Sequence, residues 1–431
     1  MGVELVRYRI DLCTDVNRGK KQHGLMMENA TANNRESKSS SEDYSPDTSS
    51  TAVPQMKRSH SDTGTESSSS SKVKKRCKQV HFAEPSESSS SQANSDSPLL
   101  LQNVPSLTSR WTEDVLSRFK IQVTQNSPDM HNVFLQGCLH FVPDTQKCAE
   151  VMELFMSKED NVYECYKQVL QNIFSLHCDD ISMVNLDDIK EMERALADPG
   201  WIKAFTDGFQ NKKICRRTLK DISRKLQQFV WQLIYMVRTH RGQEGEKVTE
   251  EMYQELFVLF AKTFGLHLLS GGNVNQYGLI AGECGRFVTI PDGVICHPLT
   301  EEDQICAVVQ VTECQFNGDN TIQRSSSPDH VGGDLQSKHV GQSLGVLPYS
   351  VFGERGMFGI LVDGTNVTIS VFKTDSSYYQ KLCNGCLPKN EAVVTFSKQY
   401  NILRKDGRTE CIQTFLHLKK LLEYLTNKSF T

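Results

Sequence analysis

Two stretches decide the fold: Arg286-Phe287-Val288-Thr289-Ile290-Pro291-Asp292-Gly293-Val294-Ile295-Cys296, and the run that follows, Ile305-Cys306-Ala307-Val308-Val309-Gln310-Val311-Thr312-Glu313. Pro291-Asp292-Gly293 has turn chemistry, because proline presets φ and glycine accepts backbone that other residues avoid. It separates two short strand candidates, 286–290 and 293–296, so a hairpin carrying an acid at its turn is expected. The second run is apolar without alternation as far as Gln310, the pattern of a strand buried on both faces. On such a strand Gln310 and Thr312 share one face, and Val309 and Val311 share the other.

The flanks extend the pattern. Thr249 is placed to cap a helix running to Phe264, with Met252, Leu256, Leu259 and Phe260 turned inward. Residues 315–333 are polar, include Ser325-Ser326-Ser327-Pro328, and read as a loop. Asp334 to Leu347 reads as a helix closed by Pro348. Met357–Val362 and Asn366–Phe372 read as strands joined through Asp363-Gly364-Thr365, a turn that glycine makes easy. Ala392–Phe396 is a further strand, and Cys411–Leu425 a closing helix.

The order helix, hairpin, strand, helix, strand across 249–373 resembles the restriction-endonuclease-like, PD-(D/E)XK nuclease superfamily. The resemblance implies an α/β core over 246–431. It makes Asp292 the hairpin acid and asks for a second acid at the tip of the next strand, the two holding magnesium while a lysine positions water. Gln310-Val311-Thr312 stands where Glu-x-Lys is wanted, and a neutral amide is a poor ligand for a hard cation. A slip or bulge would aim Glu313 into the position of Gln310. Lys338 on the following helix would take the lysine's place. Gln342, four residues on, shares its face, and Glu255 on the preceding helix is a further candidate acid.

The expected function is therefore a nucleic-acid-associated protein whose nuclease-like metal site is degenerate. Magnesium-dependent phosphodiester cleavage of DNA or RNA follows if Glu255, Asp292, Glu313, Lys338 and Gln342 assemble. The alternative is a non-catalytic protein-interaction scaffold.

Residues 108–245 read as a helical domain. Asn185 caps 186–196, with Asp187 and Asp188 in the first turn, where the helix dipole favours anions. Lys212, Lys213, Arg216, Arg217 and Lys220 recur at helical spacing, as a phosphate-facing stripe or a solvated helix face. Residues 1–107 are rich in serine and poor in aromatics, too polar to offset their ordering entropy, and read as disordered. Within them Lys72, Lys74, Lys75, Arg76 and Lys78 resemble a basic nuclear signal for an import receptor.

Net charge is -4, so any attraction to nucleic acid must be local. The most apolar stretch, 229–237, falls far short of the ~20 residues of a membrane helix. With no secretory leader expected, the 14 cysteines read as reduced thiols of a nuclear or cytoplasmic protein. Cys383-x-x-Cys386, even with Cys411 and His417, is one tight pair short of a firm zinc pattern.

Overall fold

Ile305–Thr312 forms a strand in which every residue but the last is buried. A strand this apolar on both sides must be covered on both faces, and helices supply that cover. The computed structural model describes residues 104–124, 128–142, 144–156, 161–173, 176–208, 216–242, 247–281, 285–297, 304–312 and 332–428. The tail through residue 103, with its Lys72–Lys78 cluster, lies outside the described residues, as do Lys212, Lys213 and Glu313.

The helices in chain order are α1 (Glu113–Arg118), α2 (Met130–Phe141), α3 (Thr145–Met156), α4 (Asn161–Ile173), α5 (Leu186–Ala197), α6 (Gly200–Gly208), α7 (Arg216–His240), α8 (Glu250–Thr263), α9 (Gly333–Val346), α10 (Ser376–Cys383) and α11 (Lys405–Lys428). The strands are β1 (Ile121–Thr124), β2 (Leu268–Ser270), β3 (Tyr277–Ile280), β4 (Arg286–Thr289), β5 (Gly293–Cys296), β6 (Ile305–Thr312), β7 (Gly356–Asp363), β8 (Asn366–Lys373), β9 (Ala392–Phe396) and β10 (Tyr400–Asn401).

The protein is thus mixed α/β. Its main sheet runs β1-β9-β8-β7-β6-β5-β2, with β10 beside β8. β2, β5 and β6 form an antiparallel set. β6 and β7 are parallel, from Ala307 opposite Phe358 to Thr312 opposite Asp363, and α9 makes the crossover between them. β7 and β8 form the expected hairpin, whose turn residue Gly364 has φ of 60°. On one face Val309 and Val311 join the cluster containing Phe257, Phe260 and Phe264 of the α8 segment and Phe415 of α11. On the other, Val294 and Val308 join Val340 and Leu344 of α9, and Trp111 and Phe119 that flank α1.

Two expectations need correction. β4 does not pair with β5. It pairs with β3 in a separate two-stranded sheet, with Tyr277 opposite Thr289, and its Val288 also bridges to Leu107. Asp292 therefore sits where the chain passes between two sheets, not at a hairpin tip. Asp292 would need only a short turn to close a hairpin, but a better partner for β4 lies earlier in the chain. The segment read as wholly helical also contributes β1, which pairs in parallel with β9, Ile121 opposite Ala392 and Thr124 opposite Thr395. Helices from before and after residue 245 share one core, as where Phe229 of α7 and Phe260 of α8 meet at 5.1 Å between ring centroids.

Candidate functional site

Asp292 is half-buried just before β5, where three parts of the chain converge. Its Oδ2 accepts a hydrogen bond from the Val311 backbone N–H at 2.8 Å, so the carboxylate lies against the C-terminal end of β6, next to Gln310. Its own carbonyl accepts from Gln254 Nε2 on α8 at 2.6 Å and from the Gly271 N–H at 3.3 Å. Burial raises the Asp292 pKa above the usual carboxylate value, and the Val311 N–H opposes that rise.

Alternation along β6 and β7 places Gln310, Thr312 and Asp363 on the sheet face that α9 covers, the face of Val308 and Met357. Gln310 is 5% exposed and Gln342, on α9, 6% exposed. The Oε1 of each is buried without a hydrogen-bond partner. A buried amide oxygen left without a donor costs about 1–3 kcal/mol, so both side chains are held at a cost to stability. The Thr312 hydroxyl lies 3.3 Å from the Val362 carbonyl and 3.4 Å from Asp363 Oδ1. Burial raises the Asp363 pKa as well, and the hydrogen bond from Thr312 opposes it.

Asp363 is the member that sequence reasoning missed. It ends an otherwise buried strand directly before Gly364, so it reads as turn chemistry. Its burial depends on how the end of β7 packs in the sheet, which no local pattern reveals. Deeper under α9, His339 Nε2 meets Ser370 Oγ at 2.9 Å, and full burial lowers the imidazole pKa to about 4.

Lys338 is half-buried on α9, one helical turn before Gln342. Glu255 is exposed on α8 and lines a groove against α7; its neighbour Gln254 is the residue that reaches Asp292. Arg216 and Arg217 begin α7, and Lys220 is exposed on the same helix. Cys383 and Cys386 lie at and just beyond the end of α10, while Cys411 is buried within α11.

Magnesium takes hard oxygen ligands, with one or two carboxylates at its centre. Here Asp292 already gives one oxygen to a backbone N–H, and its neighbour on β6 is a neutral amide. Among the described residues no three His, Cys, Asp or Glu side chains are arranged to hold a metal ion. At the end of β6 the described residues supply one carboxylate, Asp292, beside an amide, Gln310, one acid short of the pair the resemblance asks for. Two buried amide oxygens, of Gln310 and Gln342, and the desolvated carboxylates of Asp292 and Asp363 lie at or near the C-terminal end of β6 and β7 and on α9. Comparison with known protein families and with curated proteins finds no match to this chain.

Proposed function

We propose that the C-terminal half carries a restriction-endonuclease-like core that associates with nucleic acid without cutting it. The observation that carries this reading is the contact of the Asp292 carboxylate with Val311 N–H, which sets the acid beside Gln310 at the tip of the central strand. The order α8, β2, β5, β6, α9, β7, with β6 parallel to β7, supports the nuclease-like core. Gln310 supports the loss of catalysis, since a neutral amide there is a poor replacement for a carboxylate at a hard cation.

The full chain incubated with single- and double-stranded DNA and RNA, with magnesium and with chelator, tests both parts. The expected result is binding that weakens steeply with salt and no cleavage above the background of Asp292→Ala. Magnesium-dependent cleavage lost in Asp292→Ala and Glu313→Ala would overturn the non-catalytic reading and assign Glu313 as the second acid. Absence of salt-sensitive binding to every nucleic acid would leave the interaction scaffold.

A further inference from the structure

The outward stripe of α7 is unusual for a solvent face. Lys220, Arg224, Gln228, Trp231, Tyr235 and Arg238 recur every three or four residues and so lie on one side of the helix. Trp231 is 49% exposed and Tyr235 37% exposed. Beside them an open, shallow groove of about 650 Å³ runs between α7 and α8. Gln228 and Gln232 also line it.

The charge around the groove favours an anion. Lys225 lines it, and Lys262 lies on α8 one turn beyond Leu259, another lining residue. The two ammonium groups are close enough that Lys225, together with burial, depresses the Lys262 pKa. Neither has an ion-pair partner among the described residues. Arg238 is paired with Glu193 at 2.5 Å. Glu255 is the acid among the lining residues.

We propose that this groove is a stacking platform for single-stranded nucleic acid. Trp231 and Tyr235 lie under bases two nucleotides apart, Gln228 and Gln232 reach base edges, and Lys225 with Lys262 holds the phosphates. Aromatic faces serve any base, and basic groups track the backbone. Four residues of helix separate the two rings by about 6 Å along the axis, close to twice the roughly 3.4 Å rise per nucleotide of one strand. An acidic peptide would use the lysines but not the face of Trp231, which is 49% exposed. The inference rests on the nucleic-acid reading above, and it locates contact on the α7–α8 side, away from Asp292.

Fluorescence tests it on the full chain. Trp111 and Trp201 are 1% and 8% exposed, so quenching on titration with oligo(dT) or oligo(U) reports mainly on Trp231. The expected result is quenching that weakens between low and moderate salt, with single strands preferred over duplex. By anisotropy, Trp231→Ala and Tyr235→Ala each lower affinity about 5- to 150-fold, Trp231→Phe restores most of it, and Lys225→Glu weakens it further. Melting curves confirm that these surface variants fold. Unchanged binding in Trp231→Ala and Tyr235→Ala overturns the platform while leaving nucleic-acid association intact. No binding to any nucleic acid overturns both. Trp231-dependent binding of poly-glutamate without oligonucleotide binding assigns the groove to an acidic protein partner instead.

Discussion

Asp292 and Asp363 are carboxylates kept where water is scarce, and each is more easily protonated in the folded chain than in the unfolded one. A group with a raised folded pKa adds stability below its unfolded value and loses that contribution as pH rises through the folded value. Asp292→Asn removes the charge and keeps an acceptor for Val311 N–H. The variant is therefore expected to melt above the parent at neutral pH, with the gap closing as the pH falls into the carboxylate range. His339 acts oppositely: its stabilising effect is present above about 6.5 and lost as the pH falls towards about 4. Parent and variant share that contribution, so their difference isolates Asp292, and calorimetry across pH 3–8 reads it. A variant that melts lower at every pH would show that the carboxylate is held there for structure. Pro-Asp-Gly marked Asp292 as a turn acid, but the β4–β5 hairpin that this setting implied does not form. The missing donors of Gln310 and Gln342 were not legible, because an unsatisfied acceptor is a property of the packed face and not of any one residue.

Elements with strong local codes were readable, and those defined by distant partners were not. β6 and β9 follow from largely apolar runs, and the β7–β8 hairpin from Asp363-Gly364. β1 is four residues long and gains its identity from β9, while β2 is three residues whose partner is β5. The supposed pairing of β4 with β5 failed for the same reason: turn chemistry is local, and the choice of sheet is not. The seating of α9 depends on such a non-local match. His339 crosses β7 where Gly359 leaves room, and a Cβ at 359 would collide with its Nε2 and with Ser370 Oγ. Gly359→Ala is expected to destabilise by about 3 kcal/mol or more, since β-sheet backbone and a buried ring cannot both yield. Urea unfolding measures this. A loss below 1 kcal/mol would mean that α9 can slide on the sheet.

At the scale of the molecule, the division expected at residue 245 can be tested directly. α2 lies so close on the sheet that a Cβ at Gly137 would meet Phe358 and Val371. Arg408 of α11, 2% exposed, donates to the Leu176 and Ile402 carbonyls at 3.0 and 3.1 Å. The charge stays on that guanidinium even though burial lowers its pKa to about 10. Residues 246–431 expressed alone are expected to lack a cooperative thermal transition and to bind a hydrophobic dye, because α2 no longer covers the sheet and α4 and α7 no longer cover α11 and α8. A sharp transition in that fragment would restore the two-domain division. Composition and periodicity made both halves legible as segments, but the shared core arises only from how they pack.

The parallel pairing of β1 with β9 joins residues about 270 positions apart. During synthesis at about 5–20 residues per second, Ile121 leaves the ribosome roughly 15–50 s before Ala392 exists to receive it. The helices made first must spend that interval with their apolar sides uncovered, so the nascent chain is a natural client for chaperones that shield such surfaces until translation is nearly finished.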